Sequence, residues 1–181
     1  MKIFLIGYRC SGKTTIGKIL AQDLNFDFID TDQMIEQKAG LSVTQIVEQH
    51  GWSRFRLLEK KTVLSIKNFK KAVIATGGGV VTDPDNIKII RNNGFSIWLY
   101  TDIKTILKRL KSDAKTALSR PSLIDNNTLL EETKELLNLR NPLYKKSSHL
   151  KIDTTDNNPE KIANIIHRSL KDVGQYPGKS I

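Results

Sequence analysis

Short apolar runs at Lys2 to Ile6, Phe26 to Ile29, Ala72 to Ala75, Phe95 to Tyr100 and Leu150 to Ile152 alternate with segments patterned at helical spacing. Near-continuous apolar runs fit strands buried on both faces, and helices between them can cover those faces, so the pattern predicts an α/β fold with a parallel sheet. Ile16, Ile19, Leu20 and Leu24 share one helical face, as do Ile162, Ile165, Ile166 and Leu170 near the other end. Boundary signals agree with that count. Ser42 with Gln45 forms a capping box, Asp83-Pro84 and Asn158-Pro159 each place a cap before a first-turn proline, and Gly94 closes a helix.

Two stretches fall outside the pattern. Residues from Lys111 to about Thr128 are polar, lack clear periodicity and contain Arg120-Pro121. A connection of that length inside a compact domain is either a lid that closes over a site or an insertion carrying a chance arginine. Gly174 to Ile181 has little to bury and is expected to fray. A chain of 181 residues fits one domain, expected over residues 1–173 with the lid at about 111–127 and the tail at 174–181.

Charge and cysteine usage narrow the partners. The formal net charge of +10 raises the question of nucleic acid. The cations are dispersed, however. Lys60-Lys61, Lys70-Lys71 and Lys145-Lys146 are isolated pairs with no interleaved aromatics, which fits solvated helix faces better than a nucleic-acid surface. The single Cys10 rules out an internal disulfide, and the first apolar run stops at Gly7, too short for a signal peptide's core. The expectation is a cytoplasmic protein bound to neither nucleic acid nor membrane.

Residues 7 to 14 read Gly-Tyr-Arg-Cys-Ser-Gly-Lys-Thr, a complete G-x-x-x-x-G-K-[ST] loop between a strand-like run and a helix-like segment. Gly7 and Gly12 let the backbone curl so that successive N–H groups face phosphate oxygens at the positive end of the next helix. Lys13 can reach the terminal phosphates of a nucleotide, and Thr14 offers a hydroxyl to Mg²⁺. Cys10 inside the loop reads as a small filler.

Further along, Asp30-Thr31-Asp32 ends the second strand-like run. Residues two apart on a strand point the same way, so two carboxylates can face one site, one holding the metal and one meeting an attacking hydroxyl. The alternative is that Asp32 caps the following helix. Arg56 and Glu59 are three apart in a helical stretch and could be only a surface ion pair. Gly77-Gly78-Gly79 directly after a buried-looking strand suggests close approach to the backbone. His50, His149 and His167 lack metal-ligand spacing and read as structural or exposed.

Taken together, the phosphate loop, D-T-D at 30–32, F-R-x-x-E at 55–59, T-G-G-G at 76–79, R-P at 120–121 and R-N-P-L-Y at 140–144 closely resemble shikimate kinase over nearly the whole chain. The resemblance implies a P-loop, nucleoside-monophosphate-kinase-like three-layer sandwich, a five-stranded parallel sheet in the order 2-3-1-4-5, a lid and a substrate-binding helical region; a monomer is expected. It implies transfer of phosphate from ATP, with Mg²⁺, to the 3-hydroxyl of shikimate. The products would be shikimate 3-phosphate and ADP, a step of aromatic amino-acid biosynthesis.

Carried onto these positions, the resemblance makes Asp32, Lys13 and Arg120 catalytic. Gly7, Ser11, Gly12, Lys13, Thr14, Thr15, Arg109 and Arg120 would hold the nucleotide, with Arg109 packing on adenine and residues 153 to 159 closing the other side of the base. Arg56 and Arg140 would grip the shikimate carboxylate, beside Asp32 and the backbone of Gly78 and Gly79. Glu59 would orient Arg56, and Thr14 with Asp30 would serve the metal. Two positions depart from the family's usual pattern: Trp52 stands after Gly51 where an acidic residue is common, and Ser122 follows Arg-Pro where leucine is usual.

Overall fold

The structure, a computed structural model, describes residues 1–112, 128–156, 158–172 and 174. Five parallel strands form one sheet in the order β2-β3-β1-β4-β5: β1 (Lys2–Ile6), β2 (Asp27–Asp30), β3 (Ala72–Ala75), β4 (Phe95–Tyr100) and β5 (Leu150–Asp153). The helices described are α1 (Lys13–Leu24), α2 (Thr31–Ala39), α3 (Val43–Ser65), α4 (Pro84–Asn93), α5 (Ile103–Ser112), α6 (Leu129–Ser147) and α7 (Pro159–Asp172). Sheet order and fold class match the expectation. Short 3₁₀ turns follow α3 and the triple glycine, at Ile66–Asn68 and Val80–Thr82.

Alternation along the central strand explains both layers. Ile3 and Leu5 point to one face, where they pack with Val73, Ile97, Leu20 and Ile166 under α1 and α7. Phe4 and Ile6 point to the other, against Ile74, Trp98, Val63 and Tyr144. All four are fully buried, so this strand contributes apolar area to two cores at once. The predicted caps are present. Ser42 accepts from the Gln45 amide while Gln45 answers the Ser42 amide, and Asp83 and Asn158 accept from the first turns of α4 and α7.

Two expectations shift at element ends. The second strand starts at Asp27 rather than Phe26, because the Phe26 amide is used by the Ala21 carbonyl in the turn that closes α1. Lys111 and Ser112, placed in the lid by pattern, complete α5. The rest of that stretch, 113–127, lies outside the described residues, as does the tail apart from Gly174. Within its span α3 runs through Gly51 with a kink there (φ 77°, ψ 167°), which re-aims the helix just before Phe55 and Arg56. His149 proves structural, stacking on Phe95 and pairing with Ser96 at the foot of β4 and β5.

The sheet brings the motifs together at its carboxyl end. The phosphate loop follows β1, Asp30 ends β2 and the triple glycine follows β3. Thr76 bonds the Leu5 carbonyl through both amide and hydroxyl, and the Gly77 amide donates to Thr31 Oγ1 at 3.0 Å. Those bonds pin the glycines against both neighbouring strand ends.

Candidate active site

The phosphate loop is closed on itself by its lysine. Lys13 Nζ donates to the carbonyls of Gly7 (2.8 Å) and Tyr8 (2.6 Å) and lies 3.4 Å from Ser11 Oγ. Gly12 adopts φ 91° as it opens α1, a conformation that a side chain would strain. Ser11 is buried while Thr15 is exposed on the rim of a neighbouring cleft of about 870 Å³. Arg109 and Pro159 form other parts of that cleft's wall. The Arg109 guanidinium donates to the Cys10 carbonyl at 3.0 Å and to the Thr154 carbonyl at 2.9 Å. It therefore ties the loop to the segment after β5, and Thr154 Oγ1 repeats the tie through the Ser11 carbonyl at 3.2 Å.

The two aspartates divide their work differently from the strand-alternation expectation. Asp32 is not on the strand, because α2 begins at Thr31. The helix cap is Asp30, whose Oδ1 accepts from the amides of Asp32 (3.0 Å) and Gln33 (3.4 Å). Its other oxygen, Oδ2, accepts from Thr14 Oγ1 at 2.9 Å. Thr14 and Asp30 thus present adjacent hard oxygen donors beside the phosphate loop, a set that fits Mg²⁺. Asp32, relieved of capping, lines a second cavity of about 470 Å³.

That cavity gathers most of the remaining predicted residues: Arg56, Glu59, Gly78, Gly79 and Arg140 all line it. Arg56 Nη1 donates to Glu59 Oε2 at 2.7 Å. Glu59 is only 1% exposed, so the pair is not the solvated surface bridge that i, i+3 spacing alone suggests. Burial pushes the Glu59 carboxyl above its ordinary range, against the opposing pull of the Arg56 charge. The guanidinium also lies near the rings of Phe55 and Trp52, 5.3 and 5.5 Å from their centroids. The glycines then make sense as space. A Cβ at Gly79 would fall on the Arg56 guanidinium, and one at Gly77 would approach Asp32 Oδ1 and Glu59 Oε1 to 2.7 and 2.8 Å.

Arg140 comes from α6 and is 6% exposed, with Nη1 reaching the Gly78 carbonyl at 3.5 Å. Tyr144, one turn later, donates its buried hydroxyl to the same carbonyl and stacks on Trp98. Tyr144 was visible only as a letter in R-N-P-L-Y. Sequence reasoning also missed Arg9, which lines the cavity and pairs with Glu132 on α6 at 2.5 Å. Arg120 lies outside the described residues.

Comparison with known proteins agrees with this geometry. The model of the shikimate kinase family matches residues 9–171. The chain belongs to the shikimate kinase family. A shikimate kinase from Caldicellulosiruptor saccharolyticus is 42% identical over 161 residues, covering 89% of this chain and 90% of that protein. One from Sulfurihydrogenibium sp. is 36% identical, covering 93% and 97%. Among solved structures, a shikimate kinase from Acinetobacter baumannii in complex with shikimate superposes with a TM-score of 0.87 at 31% identity, covering 95% of this chain and 93% of that one. Family membership gives the α/β architecture and the phosphate loop a common explanation, and it makes ATP a substrate.

Proposed function

We propose that this protein transfers the terminal phosphoryl group of ATP to the 3-hydroxyl of shikimate, releasing ADP and shikimate 3-phosphate for aromatic amino-acid biosynthesis. The observation that carries the reading is the cavity beside the phosphate loop, where Asp32 shares a wall with two guanidinium groups, Arg56 and Arg140. Paired guanidinium groups suit a planar carboxylate because their donors can engage both oxygens. Asp32 then accepts a hydrogen bond, and ultimately the proton, from the attacking hydroxyl.

On the nucleotide side, Gly7, Ser11, Gly12, Thr14 and Thr15 cradle the phosphates while Lys13 turns from its own loop carbonyls to the terminal phosphate oxygens. Thr14 and Asp30 would hold Mg²⁺, which supplies charge neutralisation at the terminal phosphates. Arg109 lies in the adjoining cleft, where the adenine is proposed to pack, and Arg120 is proposed to bring a further cation to the transferring group. Gly78 and Gly79 contribute backbone contacts to shikimate, and Glu59 holds Arg56 in place. Positioning and electrostatic stabilisation supply the rate, since phosphoryl transfer asks for little covalent participation by the protein. A cytoplasmic monomer acting on small molecules is the accompanying proposal. Among the described residues no helix is long and apolar enough to cross a membrane.

Coupled ADP release with Mg-ATP tests the reading when shikimate, quinate, gluconate and no acceptor are compared at matched concentration. Release with shikimate alone is expected. Release with gluconate instead would retain the phosphate chemistry and overturn the roles of Arg56 and Arg140.

A further inference from the structure

Arg9 is the residue of the phosphate loop that also lines the acceptor cavity. Its side chain is 10% exposed, and Nη2 is held by Glu132 Oε1 on the first turn of α6, whose own side chain is 5% exposed. The Tyr8 ring lies 5.5 Å from the guanidinium carbon. Nε is a buried donor with no hydrogen-bond partner among the described residues. A guanidinium fixed at one nitrogen and unsatisfied at another is poised for an additional oxygen acceptor, because a buried donor left unpaired is costly.

Position decides which oxygen. Arg56 and Arg140 enter the cavity from α3 and α6, whereas Arg9 enters from the loop that carries the donor's phosphates. It therefore lines the acceptor cavity from the side of the phosphate loop. Before transfer, an acceptor hydroxyl is neutral; afterwards the same oxygen bears a dianionic phosphate, a far stronger partner for a guanidinium. Resting on the function proposed above, we infer that Arg9 binds the newly transferred phosphate of the product, and that Glu132 is the positioning residue that holds it there. The pair therefore favours the product over the substrate in this cavity.

The measurement is the affinity of shikimate and of shikimate 3-phosphate by titration calorimetry without nucleotide. Wild-type protein is compared with Arg9→Met/Glu132→Met, Glu132→Gln and Arg9→Lys. The double variant removes both charges of a buried pair, so neither is left uncompensated, and retained cooperative melting verifies its fold. Product affinity is expected to fall by about tenfold or more, the effect of losing a hydrogen bond to a charged group, with shikimate affinity changed by less than about threefold. Glu132→Gln should lower product affinity in the same selective manner but less severely. Arg9→Lys, which keeps the charge and loses the fork, should fall between wild type and the double variant, and it carries the test if the double variant does not fold. Equal loss for both compounds would assign Arg9 to a group they share, such as the carboxylate, and no loss for either would make the pair purely structural; each result overturns the inference. Absence of shikimate phosphorylation by the wild-type protein would fail the function itself and is read separately.

Discussion

At the scale of single residues, each carboxylate in the site is defined by what its neighbours leave it to do. Asp30 spends one oxygen on the cap of α2 and offers the other to Thr14, so of the two aspartates it is Asp32 that lines the second cavity. Asp32→Asn preserves shape while removing charge and should lower kcat by about 10²–10⁴-fold, the range for a lost general base, with thermal stability nearly unchanged. Near-normal turnover would remove Asp32 from the chemistry. Gly79→Ala tests space rather than charge. Its φ of −98° suits alanine, yet the added methyl would displace the Arg56 guanidinium. The expected result is a higher KM for shikimate at unchanged KM for ATP.

Glu59 gives the pH dependence. Its folded pKa is raised above the ordinary 4.5, chiefly by burial, so its stabilising contribution is complete below about 4.5 and is lost as pH rises through the folded value. Glu59→Gln lacks that titration. Melting temperatures should therefore move in favour of the variant as pH rises from 4 to 7, while KM for shikimate rises because Arg56 has lost its charged partner. A stability difference independent of pH would contradict the assignment.

The elements show why some of this was readable in the chain and some was not. Strands and caps rest on local chemistry, so alternating runs and the Ser42–Gln45 box could be read directly. The exchange of roles between Asp30 and Asp32 could not, because it depends on α2 starting at the residue after β2 with no intervening loop. Likewise, spacing foretold that Arg56 and Glu59 pair, but the burial of Glu59 depends on the glycines that leave room for both side chains. Arg9 and Glu132 are 123 residues apart, and nothing local to either announces the other. At this scale the cap of α3 makes a prediction. Ser42→Ala should cost about 1 kcal/mol, typical of a lost N-cap, and lower Tm by about 2–4 °C for a chain of this size. Kinetic constants should hold, since Ser42 touches neither cavity; a large change in KM would mean that the helix end, and not the local pair with Glu59, sets the position of Arg56.

For the whole molecule, the sheet order is what makes one machine from scattered motifs. Placing β1 between β3 and β4 sets the phosphate loop next to the triple glycine on one side and to the Arg109 cleft on the other. The two cavities consequently share the phosphate loop as a common wall, with Arg9 on one side and Thr15 on the other. The resemblance in the motifs already implied this topology, and the parallel register bears it out. The contribution of Arg120 stands as a proposal, because the stretch that carries it lies outside the described residues. The most direct test of the account is ³¹P NMR, with proton coupling, of the product made by the purified protein from Mg-ATP and shikimate. The expected product is a phosphate monoester coupled to the proton on carbon 3, formed with stoichiometric ADP and about 10²–10⁴-fold more slowly by Asp32→Asn. A phosphate ester at another hydroxyl, or inorganic phosphate alone, would contradict it.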